Sequence, residues 1–325
     1  MFSDVIATMR AGQAKFTRTR RNGPWGNRFG PYPGAGFHLV LRGSCWLLPV
    51  DGTPIQLAAG DVVFLPHGSL HGVSDRPGRA AATLPLGPQP GPGLLDDFTE
   101  AAAPGDTLLL CGAYRLDRGQ AHPFLRALPE IVHLPARPGR HPALRNAVDL
   151  LAAELTEPRP GSDATLPALL DLLLVYLLRA WLDEEAAHRP DSGWLAALTD
   201  PTVASALNHL HRDPARPWTV QELSTTIGMS RTVFAQRFTA LVGQSPMAYL
   251  TWWRLNIAAR LLRDGDAPLA TIAQQVGYTS EFAFSNAFKR HFGVAPGRFR
   301  RAQRAPVDPP TPEAARAPVR ATIGD

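Results

Sequence analysis

Cysteine is scarce, with Cys45 and Cys111 the only two in 325 residues. That excludes a disulfide-stapled scaffold and a cysteine-rich zinc module, and it fits a reducing compartment. Lysine is equally rare. Lys15 and Lys289 stand alone, so the formal charge of +5 rests almost wholly on arginine. A GC-rich genome also favours arginine, so the bias by itself is no sign of nucleic acid. Long apolar runs are missing too: the most apolar window, 166–182, is interrupted by Asp171 and Arg179. It falls short of the ~20 residues that a membrane span needs. The start, MFSDVIATMRAGQ, spaces Phe2, Val5, Ile6 and Met9 as a helix would, without the basic start, apolar run and cleavage site of a signal peptide. The expectation is a soluble, cytoplasmic protein with no membrane partner.

What is present is unevenly placed. Residues 200–304 carry 13 basic and 6 acidic side chains, a balance of +7, whereas residues 1–199 carry 18 and 19, a balance of −1. A basic final third is what a domain facing phosphates requires, although a solvated basic surface gives the same count. The 28 glycines and 32 prolines call for many loops. Short β-like runs occupy 37–41, 45–50, 54–57, 61–66 and 107–116, with turn chemistry at Arg42-Gly43-Ser44 and Asp51-Gly52. Such spacing predicts a small barrel or sandwich. The stretch 85–93 is a proline-glycine loop. From about Pro142 the period lengthens, and 143–157 and 163–187 read as helices. Punctuation at 190–193 precedes an all-helical part, and the Pro/Ala/Arg-rich tail 305–325 reads as disordered.

The helical part contains a duplication, WTVQELSTTIGMSRTVFAQRF (218–238) and LATIAQQVGYTSEFAFSNAF (269–288). Each copy has a short helix, a glycine turn (Gly228, Gly277), a polar N-cap and a second helix. Thr219 and Glu222 form a capping-box pattern, Ser230 caps the first recognition helix, and Thr279 or Ser280 caps the second. Val233, Phe234 and Phe238 are expected to face one core, and Phe284 and Phe288 the other. Between the copies, Ser245-Pro246 starts a strut with Leu250, Trp253, Ile257, Leu261 and Leu262 inward, and Gly265 ends it. This is a tandem helix-turn-helix layout, in which each second helix enters the DNA major groove.

These residues carry a resemblance. Residues 201–300 are similar to the DNA-binding domain of the AraC/XylS family of transcription regulators. The matching positions are Leu223, Gly228, Met229, Ser230, Phe238, Arg254, Ala258, Ile272, Ala273, Val276, Gly277, Tyr278, Phe284, Phe288, Lys289, Phe292, Gly293, Pro296 and Arg300. The resemblance implies base contacts from the early exposed face of each recognition helix. Those positions are Arg231, Thr232 and Gln236 in the first, and Glu281, Phe282, Ser285 and Asn286 in the second. Gln and Asn suit adenine, Arg suits guanine, Glu can accept from cytosine, and Phe282 can meet a thymine methyl or simply pack. Arg237, Lys289, Arg290 and Arg298 read as phosphate contacts, which position without specifying.

In the N-terminal half, Gly60-x5-Pro66-x-Gly68-x2-His71-x3-Asp75 resembles the second signature motif of cupin barrels, with Asp75 where Asn is usual. Residues 1–135 are similar to the cupin-type sensor domains that precede AraC-type DNA-binding domains. The His-x-His pair of metal-holding cupins is missing, because Leu39 and Val40 follow His38. No metal and no cofactor are therefore expected. An effector pocket is assigned to His38, Trp46, His71 and Cys111.

The expected molecule has two domains: an all-β cupin-like barrel with linker helices, then an all-α domain of two helix-turn-helix motifs joined by a long helix. The divisions fall at 1–140, 141–190, 191–303 and 304–325. Its function is that of a non-enzymatic, sequence-specific transcription regulator, read as an activator, whose barrel senses a small molecule. The implied partners are double-stranded promoter DNA, an unidentified effector, RNA polymerase and a second copy of the chain. Dimerisation is assigned to Leu169, Leu172, Leu173, Tyr176, Leu177, Ala180 and Trp181. Two alternatives stand beside this: a cupin enzyme carrying a DNA-binding module, and a redox regulator using Cys45 and Cys111.

Overall fold

The computed structural model describes residues 15–32, 34–88, 105–114, 122–157, 159–188 and 193–304. The expected N-terminal amphipathic segment, most of the proline-glycine loop, residues 190–192 and the tail 305–325 lie outside these residues. The N-terminal part consists of β1 (Lys15–Arg21), β2 (Gly26–Phe29), β3 (Ala35–Arg42), β4 (Ser44–Pro49), β5 (Ile55–Ala58), β6 (Val62–Leu65), β7 (His71–Ser74), β8 (Thr107–Tyr114) and β9 (Val132–Leu134). They form two antiparallel sheets, ordered β1-β8-β3-β6-β9 and β2-β7-β4-β5. The cupin-like β-domain is present, and among the described residues its two sheets are not joined into a closed ring. At Gly43, with φ of 77°, the chain turns from one sheet into the other. β3 pairs with β6 and β8, β4 pairs with β5 and β7, and the two consecutive strands do not pair with each other.

β3 is buried on both faces, which is why FHLVL reads as a continuous apolar run rather than an alternating one. Its alternate residues serve different cores. Val40 joins Cys45, Leu47, Val63, Leu109 and Cys111 between the sheets. Phe37 and Leu39 face the helical layer. That layer comprises α1 (Pro123–Arg126), α2 (Pro142–Thr156) and α3 (Ser162–His188), with α2 and α3 packed together and α3 against β9. Tyr114 at the end of β8 donates its hydroxyl to the Leu170 carbonyl at 2.7 Å, and Arg18 of β1 donates to the Leu155 carbonyl.

Two expectations about α3 need correction. By length and composition, Ser162–Glu185 could cross a membrane, a feature the sequence window had excluded. Here it serves as a core helix, with Leu166, Leu170, Leu173, Leu174, Leu177, Leu178 and Ala180 buried. Leu173, Leu177 and Ala180 are therefore committed within the chain and cannot form a dimer surface. Leu169, Leu172, Tyr176 and Trp181 remain half-buried.

The C-terminal part is helical: α4 (Gly193–Thr199), α5 (Pro201–Arg212), α6 (Val220–Thr226), α7 (Arg231–Val242), α8 (Pro246–Asp264), α9 (Leu269–Gln275), α10 (Glu281–Phe292) and α11 (Pro296–Arg304). The strut α8 begins at the Ser245 cap and has 19 residues, about 28 Å at ~1.5 Å per residue. Gly265 ends it in an extended conformation (φ −144°), not the left-handed one that a glycine cap suggests. The apolar core divides inside this helix. Residues through Trp253 belong with α4 to α7 and with the helical layer of the β-domain, whereas Leu255, Ala258, Ala259 and Leu262 belong with α9 to α11.

Candidate nucleic-acid interface

Local chemistry sets both recognition helices in the same way. α6 starts with a complete capping box, in which the Thr219 hydroxyl accepts the Glu222 N–H and Glu222 accepts the Thr219 N–H. It ends with the Gly228 N–H bonded to the Thr225 carbonyl and the Met229 N–H to the Ser224 carbonyl. α9 ends identically, Gly277 to Gln274 and Tyr278 to Ala273. Both are Schellman endings, which need a left-handed residue. Gly228 and Gly277 supply it, with φ of 73° and 83°. At Gly277 a side chain would also strike the Ala215 carbonyl at 2.6 Å.

Ser230 and Ser280 then cap α7 and α10, accepting the N–H groups of Val233 and Ala283. Each helix has 12 residues, and each ends at a left-handed glycine, Gly243 and Gly293. The equal phase puts Phe234 and Phe238 in one core and Phe284 and Phe288 in the other. It leaves Arg231, Thr232 and Gln236 exposed on α7, and Glu281, Phe282, Asn286, Lys289 and Arg290 exposed on α10. Ser285 is half-buried between these faces, and Arg298 is exposed on α11.

Three residues depart from expectation. Val233 is 50% exposed and does not enter the core. Phe282 is 78% exposed, which removes the packing reading and leaves a bare ring on the proposed DNA face. Arg237 binds Asp200, its Nε 2.7 Å from the carboxylate. Asp200 also caps α5, accepting the Thr202 and Val203 N–H groups. Arg237 thus holds α7 against α5 and is not an unengaged phosphate ligand. Arg254 plays a similar part on the strut: its Nε and Nη2 donate to the Pro214 and Arg216 carbonyls at 2.7 and 2.8 Å.

The β-domain brings three of its four expected pocket residues together. β3 and β8 place His38 opposite Cys111, and β7 of the other sheet supplies His71. His71 Nδ1 lies 2.7 Å from the Ser69 carbonyl, which can only accept, so that nitrogen carries the proton. His71 Nε2 is then the acceptor for His38 Nε2–H at 2.7 Å. His38 Nδ1 is left to accept the Cys111 thiol at 2.9 Å. Burial lowers the His71 pKa to about 4, and burial followed by the His71 neighbour holds that of His38 well below its usual 6.5. Both rings are neutral, as the chain of bonds requires. Phe29, which the sequence did not single out, packs against both rings, 4.9 and 5.6 Å between centroids. Trp46 does not join them. It points to the other side of β4, where it packs with Leu48, Ala81 and Leu84.

His38 and His71 bring two imidazoles together, fewer than the three protein ligands a catalytic cupin metal takes. Among the described residues, no group of three or more histidines, cysteines and acids is placed to bind an ion. Asp75, the residue in place of the usual Asn, sits at the surface with Arg76 and Arg79, 3.2 and 3.5 Å away. The redox reading weakens as well. Burial pushes the Cys45 and Cys111 thiols up to about 12, which disfavours the thiolate that oxidants attack.

A β-domain followed by two basic helix-turn-helix units, with matching glycine turns and matching serine caps on their second helices, defines a DNA-binding transcription regulator. Comparison with known proteins agrees. Residues 1–183 match a cupin family and residues 223–302 a helix-turn-helix domain family. The chain is 41% identical to an AraC-like transcription regulator of Streptomyces antibioticus, over 82% of this chain and 86% of that one. It is 39% identical to another AraC-like regulator, of Streptomyces lividans, over 92% and 97%. It is 30% identical to the helix-turn-helix regulator AlkR of Acinetobacter baylyi, over 92% and 98%. The chain belongs to the AraC family of transcription regulators, in the branch with an N-terminal cupin domain. These relatives are all named as regulators, and the family points to a non-enzymatic protein.

Proposed function

We propose that the protein reads promoter DNA through both recognition helices, with Arg231, Thr232 and Gln236 at one half-site and Glu281, Phe282 and Asn286 at the next. The observation that carries this is the matched phase of α7 and α10: equal caps and equal buried phenylalanines project Gln236 and Asn286 to corresponding exposed positions. Lys289, Arg290 and Arg298 hold phosphates. The β-domain governs this binding in response to a small effector, and the regulator works with RNA polymerase in the cytoplasm as a homodimer. The dimer uses the half-exposed face of α3, at Leu169, Leu172 and Tyr176, because the opposite face is buried within the chain. The test is in vitro selection of duplexes by the full-length protein, followed by footprinting. Two adjacent protected half-sites support the reading, and a pool that yields no preferred sequence contradicts it.

A further inference from the structure

The β-domain and the DNA-binding part meet at a buried polar chain whose direction can be assigned. His122 caps α1 and lies among rings of the C-terminal part, 4.8 Å from Trp194 and 4.9 Å from Trp252 between centroids. Its Nδ1 accepts the Phe124 backbone N–H at 3.0 Å. Nε2 therefore carries the proton and donates to the Tyr249 oxygen at 3.1 Å. The Tyr249 hydroxyl in turn donates to His211 Nε2 at 2.7 Å. One backbone N–H thus orders a chain from α1 through α8 into α5. Phe124, two residues on, meets Trp181 of α3 and Trp194 of α4, so the linker helix joins the same contact.

The two helix-turn-helix units are not equally placed with respect to this junction. The core that starts at Phe16 runs without interruption through α2 and α3 to Phe234, Phe238 and Trp253. The second unit has a separate core, from Leu255 to Phe299. α7 packs on α4 and α5 and is tied to α5 through Arg237 and Asp200. α10 packs on α8, α9 and α11. Arg231, Thr232 and Gln236 stay exposed while the junction is formed, so it does not cover the recognition face.

We propose that the two units have unequal roles. The first is the half that the β-domain positions, through the His122–Tyr249–His211 chain, and the second is a DNA anchor coupled to it along α8. This rests on the reading above, in which the β-domain governs DNA binding. Because the recognition face is already open, the junction supports binding, and loosening it weakens the first half-site.

Tyr249→Phe removes one hydroxyl and keeps the ring, and His122→Gln attacks the chain from the other end should the first variant misfold. Both are made in the full-length protein and followed by amide hydrogen exchange, with footprinting on the duplex selected by the wild type. Exchange in α1, α5 and α7 should quicken by about fivefold, the scale of one lost buried hydrogen bond, while α10 is unchanged. One half of the footprint should fade and the other persist. Equal responses in α7 and α10, no response in either, or a strengthened half-site would overturn the proposal. If the wild type selects no sequence, base reading fails instead, and the exchange result still decides the coupling.

Discussion

Gln236 and Asn286 each stand six residues after their capping serines, and that spacing could be read from the chain because a cap fixes the phase of its helix. Replacing either with Ala should cost ~1–3 kcal/mol on the selected duplex and relax preference at one or two base pairs. The partners of Arg237 and His38 were not legible, since Asp200 and His71 lie 37 and 33 residues away and only the fold unites them. A salt titration separates the cations. Lys289→Ala should lower the slope by about one, whereas Arg237→Ala should leave it nearly unchanged because its charge is already engaged. Trp46 was misassigned because the facing of β4 was not legible. Neighbouring strand residues face opposite ways, and it is Cys45 that joins Cys111 between the sheets, which turns Trp46 outward.

Among the elements, the helices were more legible than the strands. The predicted 143–157 and 163–187 became Pro142–Thr156 and Ser162–His188, because apolar periodicity over four or more turns leaves little choice. β1 (KFTRTRR) escaped because Phe16 is its one large apolar residue and its other buried positions, Thr17 and Thr19, are polar. The apolar width of α3 was legible, but not which face the chain itself would cover. Leu173→Glu should therefore unfold the protein rather than yield a monomer, as a buried unpaired charge costs at least several kcal/mol. Leu169→Glu combined with Tyr176→Glu should give a folded monomer by sedimentation velocity. A persisting dimer would place the dimer interface elsewhere.

At the scale of the molecule, three buried neutral histidines, His38, His71 and His122, tie stability to pH. Each has a folded pKa below its unfolded value, so the unfolded chain binds the extra proton first. Stability is full above the unfolded pKa of 6.5 and falls as pH drops towards the folded value, about 4 for His71. That histidine alone accounts for a loss on the order of 3 kcal/mol across the window. Urea midpoints should stay level above about pH 7 and decline steadily below it. A midpoint constant down to about pH 5 would contradict the neutral hydrogen-bond chains. The two-domain order was legible from the change of hydrophobic period near Pro142. The strand spacing allowed a barrel or a sandwich; that β3 and β4 enter different sheets was not legible, because Arg42-Gly43-Ser44 reads equally well as a hairpin turn.

The central claim is that two recognition helices in equal phase read two half-sites. The most direct measurement is the affinity of wild type, Gln236→Ala and Asn286→Ala for the selected duplex and for a scrambled one, each across a salt series. The account predicts that both variants weaken only on the selected duplex, with salt slopes unchanged. Equal weakening on both duplexes would contradict it and make the helices backbone anchors.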